Sequence, residues 1–211
     1  MSNETDPTIV RLRRTEAGTN GESGMRALPL LAVAALAGAA FPVSARAAGI
    51  TYDCDTASQH FSELVLPAPS SPFTVTGNLQ LRTIAEVKKW APLGRVDIGS
   101  AFQPGASPEA FAGFSMIALP IDKRKSPTGE EVVQALKFTN RGAEDEMLPF
   151  SMLSKPGTVQ SFKLTYSGSE VTVTLGEETR RFPLKTAEPV VRVICSTGEF
   201  LFTDLEIKPT L

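Results

Sequence analysis

The stretch SFKLTYSGSEVTVTL, Ser161–Leu175, decides how the rest of the chain is read. Phe162, Leu164 and Tyr166 alternate with polar residues, Ser167-Gly168-Ser169 supplies a turn, and Val171, Val173 and Leu175 alternate back. A period of two sends successive side chains to opposite faces, so each arm is a strand with one apolar face and the whole is a β-hairpin. The same rhythm runs outward. Phe73, Val75, Leu79 and Leu81 share a face with Gly77 in phase, opposite Thr74, Thr76, Asn78 and Gln80. Val96 and Ile98, then Phe114, Met116 and Ala118, then Val132, Gln134, Leu136 and Phe138 repeat the pattern. Val191, Val193 and Cys195 make a further strand, Ser196-Thr197-Gly198 a turn, and Phe200–Ile207 a last strand. There Phe200 and Phe202 fall on even positions and Leu205 and Ile207 on odd ones, which predicts an irregularity near Thr203.

About ten short strands with no helix long enough for a crossover predict an all-β fold, an antiparallel two-sheet β-sandwich, since a single sheet would leave one face wet and its edges open. The longest break, Gly99 to Phe111 with Pro104, Gly105 and Pro108, reads as a rim loop or a short helical turn.

Upstream of the strands, residues 25–47 read as a secretory signal peptide: Met25-Arg26, an apolar run to about Ala40, Pro42, and Ala45-Arg46-Ala47 as a small-x-small cleavage site. The run is short of the roughly 20 apolar residues of a membrane span, so no span is expected after cleavage. Residues 1–24 are polar and without periodicity, a disordered extension or an overcalled start ahead of Met25. Residues 48–211 are then one exported domain, periplasmic or extracellular. They carry sixteen Lys and Arg against nineteen Asp and Glu, a net charge of −3, which argues against nucleic acid as a partner. Cys54 and Cys195 both lie in this part. An even pair in an oxidising compartment points to a disulfide, the alternative being two buried free thiols; a zinc site lacks supporting ligands.

The run Ser161–Leu175, then Val190 to Ile194, then GEFLFTDLEI, Gly198–Ile207, resembles the closing strands of concanavalin A-like lectin/glucanase and laminin G-like jelly rolls. The resemblance covers roughly the last 50 residues and is one of strand rhythm. It implies a jelly-roll topology and a concave sheet that often holds glycans.

The chemistry-bearing residues are few. Glu144-Asp145-Glu146 is contiguous, so its middle member points away from its neighbours, whereas a glycanase needs two carboxylates on one face. Asp204 and Glu206 are two apart but have no third acid. His60, the single histidine, has no serine or cysteine pattern near it, and Asp53 and Asp55 beside Cys54 fall short of a calcium ligand set. No catalytic residue, metal site or cofactor is assigned. Trp90, the single indole, is the residue to stack on a sugar, with Tyr166 and Arg95 as further ligand-binding candidates. The expected function is a non-catalytic glycan-binding or cell-envelope module. The alternatives are a structural or protein-interaction domain and a glycoside hydrolase or lyase.

Overall fold

The structure is a computed structural model describing residues 49–85, 90–101, 108–122, 124–125, 129, 131–141, 150 and 152–210. The extension 1–24, the signal segment 25–47 and the acidic run 144–146 lie outside the described residues, as do residues 102–107 of the longest break. Ten strands are described: β1 Ile50–Pro67, β2 Phe73–Ile84, β3 Leu93–Ser100, β4 Phe111–Pro120, β5 Val132–Arg141, β6 Met152–Ser154, β7 Gln160–Tyr166, β8 Glu170–Leu175, β9 Glu178–Pro183 and β10 Pro189–Pro209. All pair antiparallel, in the order β6-β5-β4-β3-β10-β2-β7-β8-β9 with β1 also on β10. No helix among the described residues is long and apolar enough to cross a membrane.

The continuous ladder folds back on itself into the two layers of a jelly-roll sandwich. Phe114 of β4 packs on Phe162 of β7 with ring centres 5.0 Å apart, and Phe138 of β5 on Phe182 of β9 at 6.3 Å. Neither pair of strands is adjacent in the ladder, so these rings meet across the interior. The alternating apolar positions supply that interior: Val75, Leu79, Leu81, Val96, Ile98, Met116, Leu136, Leu164, Val171, Val173, Val191 and Val193 are all buried. Gly77 is in phase with them because a Cβ there would lie 2.8 Å from Leu205 and 2.9 Å from the Phe162 ring. Gln134, on the core side of β5, is buried and donates to Ser154 Oγ and the Thr158 carbonyl, each at 2.9 Å, which holds the short β6 in place.

Two strands differ from the short ones the alternation implied. Ser196-Thr197-Gly198 is not a hairpin turn: β10 runs through it as one 21-residue strand, and the 18-residue β1 follows it from Pro67↔Val190 to Ile50↔Leu205. The first half of β10 also pairs with β3 and the second half with β2, so the β1–β10 ribbon belongs to both layers. Where it passes between them the register shifts between Thr56 and Phe61, and Gln59 and Thr197 take positive φ. Side chains replace the broken ladder: Thr56 Oγ1 donates to the Gly198 carbonyl, the Gly198 N–H donates back to it, and the Gln59 N–H donates to Thr197 Oγ1. The irregularity expected near Thr203 is present, since Asp204 has φ 53° and the β2 register shifts between Thr203 and Glu206. That extra residue keeps Phe202 and Leu205 both buried.

Cys54 and Cys195 are joined by a disulfide with Cα atoms 6.3 Å apart. Cys54 lies in the part of β1 facing the second half of β10, and Cys195 in the first half, so the bond straddles the corner between layers. A crosslink over 141 residues restricts the unfolded chain strongly. Reduction, or the Cys54→Ser/Cys195→Ser pair, is expected to lower unfolding free energy by about 5 kcal/mol in the chain-entropy account, read from denaturant midpoints with and without reductant. Coincident midpoints would show that the bond contributes nothing.

Candidate functional site

The two outer faces of the sandwich differ in how their charges are held. On the layer built from β2, β7, β8 and β9 the outward rows mix small hydroxyl and amide residues with the charged Lys163, Arg181, Glu206 and Lys208, and several of the small residues bond one another. Thr74 bonds Thr165, Ser161 donates to Asn78, Asn78 donates to Asp204, and Thr174 bonds Thr179. Asp204 and Glu206 both sit here, Asp204 held by Asn78 and Glu206 by Lys208.

The other outer face is charged. Residues directly opposite in an antiparallel pair share a face, so the registers define its rows. One row runs Glu63, Ile194, Arg95, Ser115, Lys137; the next Val65, Arg192, Asp97, Gly113, Thr139; a third places Phe111 beside Arg141. At the centre the Asp97 carboxylate is fully buried and accepts both arms of a guanidinium fork, from Arg192 Nε at 2.7 Å and Arg192 Nη2 at 2.9 Å. Arg192, itself 3% exposed, gives Nη1 to Glu63 at 3.2 Å. Arg95 Nε lies 2.9 Å from the same Asp97, with its side chain 23% exposed. Both guanidiniums lie over the Phe111 ring, at 4.8 Å for Arg95 and 5.5 Å for Arg192.

Gly113 makes this arrangement possible. A Cβ there would lie 2.1 Å from the Val96 carbonyl and 2.6 Å from Asp97 Cα, so only glycine lets β4 approach β3 so closely. With no side chain between Ser115 and Phe111 along β4, Arg95 reaches across to the ring. Two hydroxyls complete the face: Ser115 Oγ and Thr139 Oγ1 are buried without a hydrogen-bond partner, and Ser115 is only 1% exposed.

Electrostatically the centre balances opposing effects. Burial pushes the Asp97 carboxyl up, and Arg95 and Arg192 pull it back. Burial pushes Arg95 down from its ordinary value while Asp97 raises it; a guanidinium retains its proton through either effect. Away from the network, Tyr52 donates to or accepts from Ser62 Oγ at 2.8 Å, and burial pushes its phenol up, which makes it a poor base.

Of the three residues chosen from sequence as ligand contacts, Arg95 is on this face and Trp90 stands 46% exposed ahead of β3. Tyr166 belongs elsewhere. Its ring is 1% exposed, packs on Phe73 at 5.4 Å, and its hydroxyl donates to the carbonyls of Gly168 and Thr186. It fills the core and ties two turns together because its position continues the apolar phase of Phe162 and Leu164. His60 and Asp55 are exposed, and Asp53 pairs with Arg82 at 3.7 Å. No group of three or more His, Cys, Asp or Glu side chains among the described residues is arranged to hold a metal. Glu63, Asp97, Phe111, Ser115, Thr139 and Arg192 were not singled out from sequence. The signal was there in Arg95-Val-Asp97-Ile98 and Val191-Arg192-Val193, where charges occupy the polar phase of strands too apolar to be edges.

No family model matches the chain, and no curated protein matches it by sequence. Solved structures do share its architecture. The marine PL7 alginate lyase AlyA1 from Zobellia galactanivorans has a TM-score of 0.46 at 13% identity, over 70% of this chain and 65% of that one. The polysaccharide lyase family 18 protein aly-SJ02 gives 0.45 at 6%, over 78% and 89%. The carbohydrate-binding module CBM66 from Bacillus subtilis gives 0.39 at 9%, over 74% and 85%. These are likenesses of fold.

Two substitutions test the site as structure. Asp97→Asn leaves two guanidiniums without their buried anion and is expected to cost about 3 to 5 kcal/mol by denaturant unfolding. Gly113→Ala forces a carbon into backbone and is expected to cost about 1 to 3 kcal/mol or more. A loss below about 0.5 kcal/mol for either would mean that the face is not packed as described.

Proposed function

We propose that the chain is an exported, non-catalytic glycan-binding β-sandwich whose ligand meets the charged outer face of β10, β3, β4 and β5. One observation carries this reading: a partly exposed guanidinium, Arg95, lies over the Phe111 ring on the outer side of the layer, in the rows that also carry Lys137 and Arg141. Sugars present that mixture in reverse, with hydroxyl edges that need donors and acceptors and C–H faces that rest on rings. Trp90, 46% exposed just ahead of β3, is a further ring for a sugar to stack on. Binding without catalysis is favoured because Asp97 is sealed from solvent and Glu63, though it reaches solvent, is held by Arg192, so the face offers no pair of free carboxylates among the described residues. Export, with the domain beginning near residue 48 after signal cleavage, is supported by the disulfide.

A glycan array probed with the full chain and with Trp90→Ala and Arg95→Ala variants tests this. Sugar signals are expected from the wild type, reduced about tenfold or more in each variant, roughly the 1.4 kcal/mol a good contact contributes. An array without signal would overturn the reading in favour of a protein-interaction domain. Release of shortened or unsaturated sugars would overturn it in favour of an enzyme.

A further inference from the structure

The charged face is cationic on an anionic protein. Among the described residues its rows carry four cations, Arg95, Lys137, Arg141 and Arg192, against Glu63 and Asp97, an excess of two positive charges. The whole chain has a formal net charge of −2. The excess is not spread evenly. Arg192 spends three donors on Asp97 and Glu63 and is 3% exposed, whereas Arg95 gives one nitrogen to Asp97 and its terminal Nη groups have no partner among the described residues. Phe111 and Asp97 hold the Arg95 plane in place, so its outer edge is a fixed pair of donors of the geometry that a carboxylate or sulfate accepts. Directly opposite Arg95 across the ladder is Ser115, its buried hydroxyl unpartnered, and beyond it Lys137.

We infer that this face takes an acidic glycan, its anionic group on Arg95 with Lys137 adding to the field. This rests on the glycan reading above and names the class of sugar. Group charge sets the ligand class here because the unpartnered donors exceed the acceptors: Glu63 is the single acidic side chain of the rows that reaches solvent, and it already accepts from Arg192.

The test is isothermal titration of the full chain against polygalacturonate as the carboxylated probe, chondroitin sulfate as the sulfated probe and laminarin as the neutral one, at low and high salt. Binding to either anionic probe that weakens with salt is expected, the two arms telling carboxylate from sulfate. Lys137→Glu removes the charge excess without touching the Asp97 network and is expected to weaken that binding about tenfold at low salt. Arg95→Lys keeps the charge but not the fork and is expected to cost about as much. Circular dichroism and unfolding midpoints of each variant confirm that the fold persists. Binding to laminarin alone, or anionic binding unchanged in Lys137→Glu, would overturn the inference and leave a glycan-binding protein. No binding to any probe, together with a silent array, would overturn both.

Discussion

Everything in the sandwich hangs on the backbone ladder between β1 and β10. Each layer's remaining strands reach the other layer only through β10, whose first half pairs with β3 and whose second half pairs with β2. A 21-residue strand would ordinarily extend as one flat ribbon about 70 Å long. It turns the corner because Thr197 takes a positive φ opposite four residues of β1, an excess of three, and because Thr56 and Thr197 hydroxyls take over the hydrogen bonds the ladder gives up. The disulfide sits beside this corner, where a crosslink restrains the one strand pair that both layers share.

The same ladder builds the charged face. Glu63 is on β1, Arg192 on β10 and Asp97 on β3, three strands side by side, and their registers put all three side chains on the outside of one layer. An exposed ion pair such as Arg82 with Glu199 contributes about 0 to 1 kcal/mol. The Asp97–Arg192 fork is a different object, because desolvating both groups costs several kcal/mol and only good geometry recovers it. The fork geometry is good, yet an apolar pair of similar volume would hold the strands as well. The cluster stands on the outer side of a layer against the Phe111 ring, and the Arg95 edge is the part of it that solvent reaches.

Sequence carried the fold far and the site only part of the way. Alternation located the strands, because a half-buried strand must repeat with period two, and the phase change between Phe202 and Leu205 located a bulge. It misread Ser196-Thr197-Gly198 as a turn, since turn residues and the residues of a sharp strand bend are the same types, and only the pairing of β1 along both sides separates them. Tyr166 looked like a surface aromatic although its phase with Leu164 already placed it inside. Arg95 was recognised as a type, but its neighbours were not, because Asp97, Arg192, Ser115 and Glu63 are brought together by register between strands far apart in the chain.

The stoichiometry of the network explains why one arginine is hidden and the other is not. Two carboxylates face two guanidiniums, but both carboxylates engage Arg192: Asp97 through two bonds and Glu63 through one. Arg95 makes only an ion contact with Asp97, its Nε 2.9 Å from Oδ2 without the alignment of a hydrogen bond. A guanidinium with three charge-assisted bonds can be withdrawn from water, and Arg192 is 3% exposed; one held by an ion contact alone cannot, and the Arg95 side chain keeps 23% of its surface. The unequal division of one buried carboxylate therefore leaves the residual positive charge on the member of the pair that faces outward. It is held by a ring below and an anion beside it, so its outer edge is oriented in advance, and a contact made there would need little further ordering.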